Sequence, residues 1–271
     1  SIYLDAVDLE FSSVFLDYTK IDFDYNGRKI TIKKKLEKGG NHMLKLDYVA
    51  KPKQTVYFLG WDDGVRNNEQ VWTQGQGKYT SHWLPSFDDM TEKVEFDLDI
   101  VLEQDYTVIA NGKLVKKDTL SDSKGYLWHF DMEKPMSSYL VGFAIGDYNK
   151  KVIESSSRIP MELYYEPTDF TKVEPTYRYT KHIFDFLEKE IGVAYSWQNY
   201  KQIPVQDFLY AGMENTSCTI FSNQYVIDST AFVDKNYVNV NAHELAHQWF
   251  GNLVTETSSE HHWLHEGFAT F

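Results

Sequence analysis

His243-Glu244-Leu245-Ala246-His247 and Glu266, with eighteen residues between His247 and Glu266, carry the most legible chemistry in this chain. Imidazole nitrogens and carboxylate oxygens are the donor types that zinc takes alongside thiolates. On an α-helix, residues i and i+4 stand one above the other on one face, so His243 and His247 can reach a single ion. Glu244 follows His243 by about 100° around the helix axis, beside the ion without having to bind it. A carboxylate in that place suits activation of a water molecule. Three protein ligands and an open fourth position are usual for a zinc site that does chemistry. The pattern therefore points to His243, His247 and Glu266 as ligands of one zinc ion, with Glu244 as the catalytic group. The bland reading is a buried helix with two hydrogen-bonded histidines, because short motifs also arise by chance.

The surrounding residues decide how these groups are held. Residues 237–250 read as a helix that is apolar on several sides, with Tyr237, Val238, Leu245, Trp249 and Phe250, and it stops at Gly251-Asn252. Buried imidazoles beside a buried glutamate need partners, which a metal supplies. Trp263-Leu264-His265-Glu266-Gly267-Phe268-Ala269 begins a second helix, far enough on to turn back and bring Glu266 to the site. Further upstream, Thr171-Lys172-Val173-Glu174 has capping-box form, and Pro175 fits a first turn. Phe184, Leu187 and Ile191 then recur at helical spacing up to Gly192, and a strand is expected near Tyr200–Val205.

Residues 1–165 read as β. Turn signals recur at Asn26-Gly27, Gly39-Gly40-Asn41, Asn111-Gly112 and Asp122-Ser123-Lys124-Gly125, and the Asn-Gly pairs suit type I′ hairpins. Val94, Phe96, Leu98 and Ile100 alternate with Glu95, Asp97 and Asp99, the period of a half-buried strand. The fold class is α+β, with an all-β sandwich or saddle domain over 1–165 and a second domain over 166–271.

Bulk properties narrow the function classes. The 271 residues are 42% hydrophobic and 16% aromatic, enough for a sizeable core. A net charge of −13 argues against broad binding to nucleic acid. Lys33-Lys34-Lys35 reads as a solvated strand or turn rather than a basic patch. No apolar run reaches the roughly 20 residues that span a membrane. Cys218 stands alone, which fits the cytoplasm but equally a periplasmic or secreted protein without disulfides, so compartment and oligomeric state are not legible. The chain opens in what reads as a strand and stops at Phe271, five residues after Glu266, so a fragment of a longer protein is expected.

Ala211-Gly212-Met213-Glu214-Asn215 by itself reads as a tight turn leading into a strand. Together with the histidine motif it closely resembles the signature of the zinc aminopeptidases typified by aminopeptidase N and leukotriene hydrolase, a gluzincin family. The family form is Gly-x-Met-Glu-Asn followed by HExxH-x18-E. Gln70-Val71-Trp72-Thr73-Gln74-Gly75-Gln76, Trp83-Leu84-Pro85-Ser86-Phe87-Asp88-Asp89 and Gly251-Asn252-Leu253-Val254-Thr255 extend the likeness over most of the chain. The resemblance implies a thermolysin-like catalytic domain, begun but not finished within 166–271, and a metalloprotease that removes N-terminal residues from peptides. It implies Glu244 as general base, Glu214 as the carboxylate that holds the substrate's α-ammonium, and Gln76 as a second amine contact. Gly212 and Met213 would lie along an edge strand paired with the peptide, and Gln74, Ala211 and Asn215 would belong to the same substrate site.

Some residues depart from the family pattern. Ala211 replaces a Gly, His265 an Asn and Ser259 a Trp. Gln76 stands where many members have Glu, as in the leukotriene hydrolase branch, which keeps a lipid epoxide hydrolase in view beside a non-catalytic binding protein. His261, His262 and His265 crowd the same stretch and are read as surface groups or as groups orienting the ligands, rather than as a second metal site. Asp88-Asp89 is read as a structural turn rather than a calcium site. The family's oxyanion-stabilising Tyr lies beyond the second metal helix, so this chain by itself is expected to be nearly inactive.

Overall fold

The computed structural model describes residues 2–62, 64–103, 105–121 and 124–270. Asp122 and Ser123, half of one expected turn, lie outside the described residues. The first β-region opens with two small antiparallel sheets. One orders Ile2–Asp5, Lys29–Ile32 and Asp24–Tyr25, and the other Thr19–Lys20, Glu10–Leu16 and Leu44–Val49. Ala6, Leu9, Val14, Ile30 and Ile32 are buried together between them. A four-stranded sheet follows (Thr107–Ala110, Phe143–Gly146, Gln70–Thr73, Val56–Leu59), with a three-stranded one beside it (Lys113–Thr119, Tyr126–Asp131, Leu98–Leu102). Val71, Val108, Trp128, Phe130 and Ile145 form the core that these two share.

The sheet that carries the site is mixed and five-stranded. Its order is Asn149–Glu154, Pro160–Tyr165, Tyr200–Val205, Cys218–Ser222 and Gly212–Met213. It draws strands from both sides of residue 165. Two of its pairings are parallel, Pro160–Tyr165 with Tyr200–Val205 and the latter with Cys218–Ser222. The first of these parallel pairs needs a crossover, and helices α1 (Val173–Tyr177) and α2 (Thr180–Ile191) supply it. Lys172 is the N-cap of α1 and no side chain caps it, so the capping box expected at Thr171 does not form; Thr171 lies in a preceding 3₁₀ segment. Phe184 of α2 is fully buried, with Trp72, Ile109 and Leu140 of the β-region in the same core as Ile203, Leu245 and Trp249. Helices α3 (Val238–Ala246) and α4 (Trp263–Thr270) complete the site and pack on each other.

The Asn-Gly turns are not type I′ hairpins. At Asn26-Gly27 only Gly27 has positive φ, and Asn26 Oδ1 accepts from the amides of Arg28 and Lys29 at 2.9 and 2.7 Å. At Asn111-Gly112 the chain does not fold back on itself: it leaves the four-stranded sheet for the three-stranded one. Gly112 has φ +73, and a Cβ there would lie 2.7 Å from the carbonyl carbon of Asp131, so only glycine fits. Asn111 is buried and donates to the carbonyls of Leu140 and Thr216, at 3.0 and 2.7 Å. From the five-stranded sheet, Lys201 reaches into this junction. Its fully buried ammonium donates to the carbonyls of Ala110 and Gly112.

Asp88-Asp89 lies where the first small sheet meets this region. Asp89 Oδ1 accepts from the amide and hydroxyl of Thr91, and the Asp88 amide donates to Asp5 Oδ2 at 3.1 Å. Burial, aided by the Asp5 carboxylate, pushes the Asp88 carboxyl up to about 6. Raised above its unfolded value of 3.8, this group contributes stability that is full below that value and lost as pH rises through about 6. Asp88→Asn should therefore raise the thermal midpoint by about 2–4 °C at pH 7.5, allowing for solvent screening, and by much less at pH 4. Scanning calorimetry at both pH values checks this, and equal shifts would remove the account.

Candidate metal centre

Helix α3 places the two histidines. The α-helical segment ends at Ala246 rather than reaching 250, and His247 is its C-cap. The i,i+4 relation survives because the His247 amide still bonds to the His243 carbonyl at 3.1 Å. Beyond it the turn tightens, with the Gln248 amide on Leu245 and the Trp249 amide on Ala246. His243 Nε2 and His247 Nε2 stand 3.0 Å apart. Glu266, in the first turn of α4, brings Oε2 to 3.2 Å from His243 Nε2 and Oε1 to 3.7 Å from His247 Nε2.

This donor set fits a tetrahedral ion. Bonds of about 2.0–2.1 Å put tetrahedral ligand atoms about 3.3 Å apart, in the middle of those three separations. The tautomer fits as well. His247 Nδ1 lies 2.9 Å from the Phe250 carbonyl, which can only accept, so Nδ1 carries the proton and Nε2 keeps its lone pair for the centre. His243 Nδ1 faces Thr270 Oγ1 at 3.3 Å.

Glu244 points into the same space. Burial first, then the nearby carboxylates of Glu214 and Glu266, push its carboxyl well above the usual range. A divalent cation beside it would act in the opposite sense. Hydrogen bonds with His243 and His262 hold the Glu266 carboxyl well below its usual range. Glu214, Glu244 and His247 form a second group of donors within 4.8 Å of one another, overlapping the first at His247. Glu214 follows directly on the edge strand Gly212–Met213, and its Oε1 is buried without a partner. Its carbonyl is fixed from the segment after α3, accepting from Asn252 Nδ2 at 2.8 Å and Gln248 Nε2 at 3.2 Å. The spacing between Glu214 and the histidines is thus set by rigid structure rather than by a loose loop.

One cavity of roughly 410 Å³ gathers Gln76, Ala211, Gly212, Glu214, His243, Glu244, His247 and Glu266. Gln74, Met213 and Asn215 are not on its wall. They are buried behind it, where Gln74 Oε1 accepts from the Gln76 amide at 2.7 Å and Gln74 Nε2 reaches Met213 Sδ at 3.5 Å. The Gln74 amide thus braces the wall, and Asn215 Nδ2 donates to the Leu140 carbonyl at 3.3 Å. Tyr210, Asn239 and Val240 also line the cavity and were not anticipated. For the last two the signal was available, since they precede His243 by four and three residues on α3. Gly212 is dictated by Glu244: a Cβ at 212 would lie 2.6 Å from Glu244 Cδ and 2.7 Å from Cγ, and closer still to Oε1.

A second cluster adjoins the first. His262 Nε2 lies 3.2 Å from Glu266 Oε1 and 3.0 Å from Gln76 Nε2, while Nδ1 lies 3.2 Å from Glu256 Oε1. The Glu266 and Glu256 carboxylates raise the His262 imidazole to about 9. No helix among the described residues is long and apolar enough to cross a membrane.

Comparison with known proteins adds a lineage to this geometry. The Peptidase M1 N-terminal domain matches residues 1–140, and the Peptidase family M1 domain matches residues 176–271. Glutamyl aminopeptidase of Rattus norvegicus is 32% identical over 80% of this chain and 25% of its own length. Leucine aminopeptidase 2 of Yarrowia lipolytica is 29% identical over 100% of this chain and 41% of its own. For leucyl aminopeptidase of Saccharolobus solfataricus the figures are 27%, 100% and 34%. The chain thus spans between a quarter and about two fifths of the length of these curated relatives.

Proposed function

This chain belongs to peptidase family M1, and on that premise we propose that the protein is a zinc-dependent aminopeptidase acting on peptides with a free N-terminus. The observation that carries the reading is Glu214: a buried carboxylate oxygen without a donor, held at fixed spacing from a ready ligand set. An aminopeptidase must measure one residue from a positive chain end, and a fixed anion near the metal provides that measure. A zinc ion held by His243, His247 and Glu266 would polarise the scissile carbonyl and acidify the attacking water. Glu244 takes the proton from that water and passes it to the leaving amine. Glu214 receives the α-ammonium, supplying the partner its Oε1 lacks, and the β-rich region, residues 1–165, contributes Gln76 as a second amine contact. Gly212 and Met213 offer their free backbone edge to the peptide, since they end the order of the five-stranded sheet. Gln74, Ala211 and Asn215 shape and brace that wall.

The test uses the whole protein with aminoacyl anilides, their N-acetylated forms and an epoxide. Free-amine substrates should be cleaved and acetylated ones left intact. Glu214→Gln should raise KM by about 10–100-fold, the value of one hydrogen bond to a charged group. Cleavage of blocked substrates at equal rates would overturn the reading, and turnover of the epoxide alone would replace it.

A further inference from the structure

We propose that Glu256, His262 and His265 form a second divalent-metal site beside the first, taking an ion of the zinc or cobalt class. This departs from the sequence reading of these histidines, and it stands independently of the aminopeptidase assignment. The donor atoms of the three residues lie within 4.8 Å of one another. Glu256 Oε1 is 3.2 Å from His262 Nδ1, and Glu256 Oε2 is 3.8 Å from His265 Nε2. Two imidazoles and a carboxylate are a donor set that suits first-row transition metals.

Three observations point to a ligand rather than to mutual hydrogen bonding alone. The Glu256 side chain is 0% exposed, yet its Oε2 has no hydrogen-bond partner. An unpartnered carboxylate oxygen in that setting is costly. His262 is already oriented as a ligand. Its Nε2 lies against Glu266 Oε1 and its Nδ1 against Glu256 Oε1, so an ion displacing the Nδ1 proton would complete the carboxylate–histidine–metal arrangement. Formal charge points the same way. Glu214, Glu244 and Glu256 are buried and Glu266 is half-exposed within one neighbourhood. The His262 imidazolium between Glu256 and Glu266 offsets one of these four negative charges and a first divalent ion two, so an excess remains that a second ion would remove. His265 Nε2 now accepts the Glu256 amide at 2.9 Å, so an ion would take the place of that bond. Entry is open, because His262 and Glu266 line a neighbouring cavity of roughly 570 Å³.

The test is metal stoichiometry on the whole protein, stripped with a chelator and titrated with Co²⁺. It is read by visible absorption and by elemental analysis. Two equivalents should bind. His262→Gln, which keeps a donor for Glu266 but removes the ring nitrogen, should bind one, and so should Glu256→Gln. His243→Ala should lose the other equivalent and keep this one, so failure of either centre is read separately. Circular dichroism of each stripped variant establishes folding, and half-exposed His262 carries the test if the buried Glu256 variant does not fold. A single equivalent in the unaltered protein would overturn the proposal. So would two equivalents that persist in every folded variant of this cluster.

Discussion

Glu244→Gln should lower kcat of the whole protein by about 10²–10⁴-fold, the range for loss of a general base, while metal content stays unchanged. Glutamine keeps the volume of a side chain that is 5% exposed and wedged against Gly212, so the fold has no reason to change. It removes only the capacity to take a proton. Metal content matters because the donors fall into two overlapping groups. One is His243, His247 and Glu266; the other is Glu214, Glu244 and His247. If Glu244 serves as base, elemental analysis finds the ion retained. If the ion leaves with the carboxylate, the second group is the true ligand set and the mechanism falls. Unchanged turnover would sink it as well.

Gly212→Ala should cost about 10²-fold in kcat with metal and fold retained, the order expected when a reacting group is displaced by about 1 Å. Its backbone φ is not positive, so alanine suffers no conformational penalty there. The whole effect comes from the methyl group, 2.6 Å from Glu244 Cδ. The strand cannot readily retreat, because Gly212 is in register with Phe221, which is fully buried. Glu244 must therefore turn away from the centre. Steady-state kinetics of the single and double variants give a sharper check. In the Glu244→Gln background the same methyl should cost little more, because the group it displaces has already lost its function. A loss below threefold for the single variant would mean that Glu244 moves freely.

The histidine pair was legible because i,i+4 spacing depends on local backbone alone, and it persists where the α-helix proper has ended. The strand expected near Tyr200–Val205 forms over those residues. What escaped the sequence was decided at long range. Asn111-Gly112 has hairpin chemistry, but the Asn111 side chain donates to the carbonyls of residues 140 and 216, and the Gly112 carbonyl accepts from residues 199 and 201. Gln74 was placed in the substrate site by the family resemblance, yet the Met213 sulfur and the Gln76 amide satisfy it inside the wall. Glu256 lay in an unremarkable stretch, and its importance comes from burial against two imidazoles nine and six residues away.

The junction at Gly112 also has a bearing on how the β-rich region and the five-stranded sheet hold together. The carbonyls of Ala110 and Gly112, with Asn199 Oδ1, wrap the Lys201 ammonium much as an ionophore wraps a desolvated cation. The solvation shell of that ion is donated mostly by one region while the ion is tethered to the other. Pulling them apart strips the ammonium of its ligands before water can replace them. Parting the two sides of the cleft wall would thus have to uncover a desolvated charge, and that cost ties them together.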